Sequence, residues 1–279
     1  MIVKVLIENT PGVDLCGEHG LCLYVQYNGK NFLIDSGASE QFVTNADKMD
    51  VDLSQVDMAF LSHAHYDHSS GYPAFFERNT KAKVYLQEAA KNRYFYKIAG
   101  PIKKYIGIPE GVLEKYDERF SYVDGALNVD EGVYIVPHSL DGILKRAKHT
   151  HMCVVIDGEV LYDDFSHEQT VVFEEEDGLV CFNSCSHSGV EIVIEEVKKA
   201  FPDKKIKAYF GGFHMMGITG ANSCSYSKEE VQAVATSLKD SSDAKFYSGH
   251  CTGTVAFEWL KEILDDRLEA FQSGKVIEL

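Results

Sequence analysis

An α/β fold built as two sheets face to face, with helices on the outer surfaces, is predicted by three features of the sequence. Tight-turn pairs sit between alternating apolar strands: Asn28-Gly29 joins LCLYVQY to KNFLID, Asp157-Gly158 turns within MCVVIDGEVLYDD, and Asp177-Gly178 turns within TVVFEEEDGLVCFNS. Strands are followed by helical-period segments twice over. At 279 residues the chain shows no linker, internal repeat or low-complexity segment, so one large domain over 1–279 is expected.

The elements follow in order. VDMAFLS reads as a buried strand running directly into FLSHAHYDHSSGY at 60–72. KVYLQEAAKNRYFYKIAG reads as a short strand and then a helix. From about 91 to 130 the text turns aromatic and irregular, with Tyr94, Phe95, Tyr96, Tyr105 and Tyr116, and is taken as an insertion near the site, either a substrate-facing lid or a tyrosine-rich surface on the core. In the second half VYIVPH and the two hairpins are strands, GVEIVIEEVKKAF is a helix and KIKAYFGGFH a strand. Ser227 and Glu230 form a capping box for a helix through Leu238. KFYSGHCTG is a strand ending at a histidine, and TVAFEWLKEILDDRLEAF the last long helix.

Composition narrows the function classes. A formal charge of −16 repels phosphate backbones, so no nucleic acid is expected; KIAGPIKKY at 97–105 is the only compact basic stretch. No run of about 18 uncharged apolar residues exists to span a bilayer. Seven cysteines (16, 22, 153, 181, 185, 224 and 251) contain no CxxC pair, which suits a reduced compartment. MIVKVLIENTPG reaches a polar turn too early for a secretory signal, and the reading is cytoplasmic.

The densest chemistry lies in His63, His65, Asp67 and His68. On extended chain, residues at i and i+2 point the same way, so His63 and His65 can present imidazoles to one ion while Asp67 and His68 face a second. Without a metal, three imidazoles and a carboxylate would each need a separate partner within one loop. Isolated histidines carry less meaning, and His19, His138, His149 and His151 are read as partly buried polar residues.

HxHxDH at the end of an apolar strand resembles the signature of the metallo-β-lactamase fold hydrolases. With Glu18-His19-Gly20-Leu21, LIDSG at 33–37, Ser184-Cys-Ser-His187, GGFH at 211–214 and HCTG at 250–253, the chain resembles the subgroup related to the archaeal 7,8-dihydropterin-6-methyl-4-(β-D-ribofuranosyl)aminobenzene-5′-phosphate synthase over nearly its whole length. The resemblance implies a four-layer αββα sandwich with a metal site in a cleft at one edge of the sheets. It makes His250 the final histidine ligand. It also puts Cys185 where the bridging carboxylate usually stands, with His187 two residues on, and leaves Asp164, His167 and His214 as further candidates. The metal set is then His63, His65, Asp67, His68, Cys185, His187 and His250, with Asp67 and His214 in catalytic roles.

These donors suit one or two zinc ions, with iron or manganese also compatible. Zinc lowers the pKa of its water to about 7, so hydroxide would be the nucleophile and Asp67 would orient it or hold the second ion. Ser69, Ser70, Thr252 and Thr254, in two glycine-containing turns, could hold an anionic group or serve as ordinary caps. The leading expectation is a hydrolase of a small anionic phosphoester or phosphodiester. A synthase-like transferase and a metal-holding module without turnover are the alternatives.

Overall fold

The computed structural model describes residues 1–99, 102–138, 143, 146 and 150–279; His149 and part of the 97–105 stretch lie outside them. The first sheet runs β20-β1-β2-β3-β4-β5-β8. Its strands are β1 (Ile2–Ile7), β2 (Cys22–Tyr27), β3 (Lys30–Ile34), β4 (Met58–Phe60), β5 (Lys83–Gln87), β8 (Phe120–Val123) and β20 (Val276–Glu278). The second sheet runs β19-β18-β15-β14-β13-β10-β9. It contains β9 (Leu127–Asp130), β10 (Val133–Pro137), β13 (Gln169–Glu175), β14 (Gly178–Phe182), β15 (Ile206–Phe210), β18 (Lys245–Ser248) and β19 (Leu268–Ala270). Each sheet is antiparallel on one side and parallel on the other: β3, β4, β5 and β8 run parallel in one, and β14, β15, β18 and β19 in the other.

Period-two alternation explains the layering. Phe32 and Ile34, Val171 and Phe173, Val180 and Phe182, and Ala208 and Phe210 fill the space between the sheets, and Phe32 meets Phe173 edge-on at 5.1 Å. The intervening residues bury the opposite faces under helices. Leu33 and Val84 pack with Phe42 and Ala46 of α1 (Gln41–Lys48) and with Tyr72 and Phe75 of α3 (Tyr72–Arg78). A one-turn helix, α2 (Tyr66–Ser69), precedes α3, and another, α4 (Val112–Lys115), precedes β8. On the far side Leu179, Cys181 and Tyr209 pack with Val193 and Val197 of α5 (Val190–Ala200), Val231 and Leu238 of α6 (Lys228–Ser241), and Leu260 of α7 (Thr254–Leu264). The αββα sandwich expected from the sequence is the fold.

Asn28-Gly29 and Asp157-Gly158 form two-residue turns with positive φ at all four positions, and the Ser227–Glu230 box caps α6 from both sides. The third hairpin turns one residue early, on Glu176-Asp177, because Gly178 already pairs with Glu175.

Two expectations fail. The helix expected after KVYLQ is a single 3₁₀ turn, and Arg93–Ala99 is strand β6. Tyr94-Phe95-Tyr96 is a bulky aromatic run that fits a pleated surface, with Tyr94 buried on one face. β6 joins β7 (Ile102–Tyr105), β11 (Met152–Ile156) and β12 (Glu159–Tyr162) in a four-stranded sheet. A smaller hairpin comprises β16 (Met216–Gly217) and β17 (Gly220–Cys224). The last helix ends at Leu264, where Asp265 takes φ 47°, and Leu268–Ala270 becomes an edge strand on β18. Among the described residues no helix is long and apolar enough to cross a membrane.

Candidate metal centre

The loops that follow β4, β14, β15 and β18 converge on one cleft, at the carboxyl ends of the parallel strands. The β4 loop carries His63 and His65 and leads into α2 with Asp67 and His68; the β14 loop brings Cys185 and His187; His214 follows β15 and His250 follows β18. The GGFH pair permits this convergence. A Cβ on Gly211 would stand 1.8 Å from the Asn183 carbonyl oxygen, and one on Gly212 2.4 Å from Cys251 Sγ. Asp35, Ser186, His214 and His250 all take left-handed φ between 48° and 60°, a conformation costing about 1–3 kcal/mol each that persists where surroundings enforce it.

Several donor groups form among the described residues, three of them through Cys185 and one joining His19, Asp67 and His250. His63, Cys185 and His187 have ligand-capable atoms within 4.8 Å of one another, as do His68, Cys185 and His250. The His65 ring lies 4.7 Å from that of His63 and 4.6 Å from that of His187. Asp67 Oδ2 stands 3.5 Å from His68 Nε2 and 3.4 Å from His250 Nε2, and the two nitrogens are 3.2 Å apart. Donors around a tetrahedral zinc with bonds of 2.0–2.1 Å stand about 3.3–3.4 Å apart. The second group therefore has the spacing of a coordination shell.

The outer hydrogen bonds determine which nitrogen faces inward. Asp35, buried at the end of β3, accepts the Ser62 N–H (2.7 Å), the Ser62 hydroxyl (2.7 Å) and His68 Nδ1–H (2.8 Å). Because the Ser62 hydroxyl gives its proton to Asp35, it can only accept from His63 Nδ1 at 2.9 Å. His63 thus carries its proton on Nδ1 and turns a lone pair inward, while His68 commits Nδ1–H to Asp35 and leaves Nε2 as its ligating atom. Among the described residues, His63 Nε2, His65 Nε2 and both nitrogens of His187 are buried without a hydrogen-bond partner. Such orphans are costly unless a cation meets them, so the residues present fit a metal.

Electrostatics sets His68 apart from the imidazoles around it, His250 included. Burial, reinforced by the surrounding imidazoles, holds His63 and His187 well below the usual histidine range and takes His65 down to about 3. Burial acts the same way on His68, but Asp67 and Asp35 outweigh it and raise it to about 10. Burial also pushes the Cys185 thiol well up, and burial and then Arg146 take His214 to about 3.

Several supports were missed in the sequence. Glu168, buried, accepts the N–H groups of His187 (2.6 Å) and Ser188 (3.0 Å) and fixes the β14 loop. Glu8 accepts the His250 N–H at 2.5 Å. Asp35, Glu8 and Glu168 are acids set beside apolar strands, and that placement was the available signal. His167 lies beside the cluster, but its Nδ1 accepts the Ala64 N–H at 2.9 Å and its Nε2 faces Asp163 at 3.2 Å; it braces the loop. Asp164 accepts the Ser166 N–H. Ser69 and Ser70 hydroxyls donate to carbonyls at their own helix, and Thr252, fully buried, accepts the Phe213 N–H and shares a 2.7 Å hydrogen bond with the Ser248 hydroxyl, so these three are engaged within the fold. His138 is half-buried on the Phe165 carbonyl, as read. His19 departs from its bland reading, standing at the cleft 3.4 Å from Asp67.

Fold and donor groups together define a protein of the metallo-β-lactamase fold with a cleft suited to metal ions. The chain belongs to the metallo-β-lactamase superfamily, whose family model, described as "Metallo-beta-lactamase superfamily", matches residues 17–177. An uncharacterized protein of Methanocaldococcus jannaschii is 26% identical over 94% of both chains. The 7,8-dihydropterin-6-methyl-4-(β-D-ribofuranosyl)-aminobenzene-5′-phosphate synthase of the same organism is 23% identical over 93% of this chain and 90% of its own. The crystal structure of a metal-dependent hydrolase of the β-lactamase superfamily superposes with a TM-score of 0.82 over 100% of this chain and 99% of its own, at 23% identity.

Proposed function

We propose that the chain is a metal-dependent hydrolase of a small anionic phosphoester or phosphodiester. His63, His65 and His187 would hold one divalent ion, Asp67, His68 and His250 the other, and Cys185 stands between them. The observation that carries this is the set of inward-facing nitrogens. His68 and His250 face each other through Nε2 at 3.2 Å beside a carboxylate, and His63 Nε2, His65 Nε2 and both nitrogens of His187 have no hydrogen-bond partner among the described residues.

When bound, zinc-type ions at such donors supply Lewis-acid polarisation of a phosphoryl or carbonyl oxygen and lower the pKa of water. The remaining work falls to the chain. The cleft, about 670 Å³, admits a small molecule and has Lys104 on its wall to attract an anion. Tyr66, Tyr96 and Tyr226 line it with rings able to stack on a planar group. His214 is neutral, and its buried Nδ1 has no partner among the described residues, which suits a hydrogen bond to substrate. A synthase-like transfer is the second reading, favoured by the name of the relative matched over nine-tenths of its length.

Elemental analysis and bis(p-nitrophenyl) phosphate turnover test the proposal. Two ions per chain, with turnover abolished in His63→Ala and Asp67→Ala while the fold survives, is the expected result. Turnover unchanged in both variants removes the assigned site. Turnover absent from wild type, with pyrophosphate released when a dihydropterin carrying a diphosphate leaving group and a phosphoribosyl-aminobenzene are both supplied, moves the assignment to the synthase. Metal bound without either reaction leaves a binding module.

A further inference from the structure

Asn9, just beyond β1, touches two histidines of the cleft at once. Its Oδ1 accepts the Gly20 N–H at 3.4 Å and lies 2.9 Å from His250 Nδ1. Its Nδ2 donates to the His250 carbonyl at 3.4 Å and lies 3.4 Å from His19 Nδ1. The two backbone partners have fixed polarity, since an amide N–H can only donate and a carbonyl can only accept. The side-chain amide therefore has one orientation.

Both imidazoles are read by that orientation. His250 must donate from Nδ1 to Asn9 Oδ1, leaving the Nε2 lone pair for the metal centre. His19 must accept at Nδ1, so its proton is on Nε2. That N–H points to Asp67 Oδ2 at 3.4 Å, an oxygen already approached by His68 and His250. The His19 side chain is 45% exposed at the cleft, whereas those of His68 and His250 are fully buried. A donor whose acceptor is shared with two other imidazoles, and whose face is open to the cleft, can serve an incoming oxygen.

We propose that His19 is a further catalytic residue of the cleft, a neutral imidazole whose Nε2–H, set by Asn9, hydrogen-bonds the substrate oxygen on which negative charge develops. The donor keeps its proton throughout, so no proton transfer by His19 is involved. Its place in catalysis rests on the hydrolase reading; its tautomer and anion contact do not.

The test uses metal-loaded full-length protein labelled with ¹⁵N-histidine, with inorganic phosphate as the probe. His19 should show a protonated Nε2 and an unprotonated Nδ1, and the Nε2–H resonance should shift on phosphate addition. His19→Ala should keep wild-type metal content and bind phosphate at least about tenfold more weakly, the range for a hydrogen bond to a charged group. His19→Gln, which retains an N–H donor, should recover part of that loss. Asn9→Asp keeps an acceptor for His250 but offers no donor to His19, so its His250 tautomer should persist and its His19 tautomer should not. A proton on His19 Nδ1 in wild type, no response to phosphate, or loss of one metal ion from His19→Ala overturns the proposal, the last by making His19 a ligand. Failure of phosphodiester turnover in wild type, with the tautomer and phosphate results as expected, counts against the hydrolase reading alone.

Discussion

The two halves of the metal centre are built differently. The half on the first sheet comes from six consecutive residues, His63 to His68, braced by one buried carboxylate, Asp35, which reaches His68 directly and His63 through Ser62. The half on the second sheet is gathered from three loops ending β14, β15 and β18, each with its own brace: Glu168 for His187, the Gly211-Gly212 pair for His214, and Glu8 with Asn9 for His250. A contiguous half can share one support. A dispersed half needs one for every loop, so its failures should be local.

Asp35→Asn should give the largest effect and break the first half as a unit. The amide cannot accept the Ser62 N–H, the Ser62 hydroxyl and His68 Nδ1–H together, so both imidazoles lose their fixed tautomers. Affinity at both metal positions should fall roughly 10–100-fold, and unfolding should cost about 3–5 kcal/mol less, as for a broken buried pair. Competitive zinc titration and denaturant unfolding measure the two. Glu168→Gln should act on one loop only. Its amide group turns toward one of two backbone N–H groups, costing about 1–3 kcal/mol, and the position built on His63, His65 and His187 should weaken while the one with Asp67, His68 and His250 holds. Equal weakening of both positions would remove the contrast.

Proton release sharpens the same comparison. His63, His65 and His187 are held far below neutrality and have no proton to lose at pH 6–9, whereas His68, raised to about 10, must lose one to ligate. Cys185→Ser removes the shared thiol's own proton from the balance. In that variant the first position should bind zinc with a flat profile from pH 6 to 9, and the second should tighten about tenfold per pH unit. Calorimetry in buffers of different ionisation enthalpy counts the protons.

The same division governs what could be read from sequence. HxHxDH was legible because its geometry is local, and the Asn28-Gly29 and Asp157-Gly158 turns because two residues suffice to specify them. Asp35, Glu168 and Asn9 were not, since their meaning lies in partners 33, 19 and 241 residues away. Arg93–Ala99 was mistaken for helix because its strand identity depends on pairing with Met152–Ile156, which no local pattern announces. Leu268–Ala270 was absorbed into the preceding helix for the same reason. There Asp265 turns the chain, and β18 supplies the partner that makes it a strand.

The smallest expected effect comes from a charge network outside the centre. Glu269 on β19 meets Lys245 at 2.7 Å and Lys275 at 2.5 Å, and these two, Lys245 first, take its carboxyl down to about 2. Like Asp35 it gathers several donors, but its side chain is 39% exposed, and water competes for every one of them. Because the folded value lies below the ordinary 4.5, its stabilisation is present above that pH and is lost as pH falls towards 2. Glu269→Gln should therefore cost less than about 1 kcal/mol at neutral pH, and the cost should shrink with added salt. Metal content should not change. A penalty approaching that of Asp35→Asn would mean that burial is not what separates the two networks.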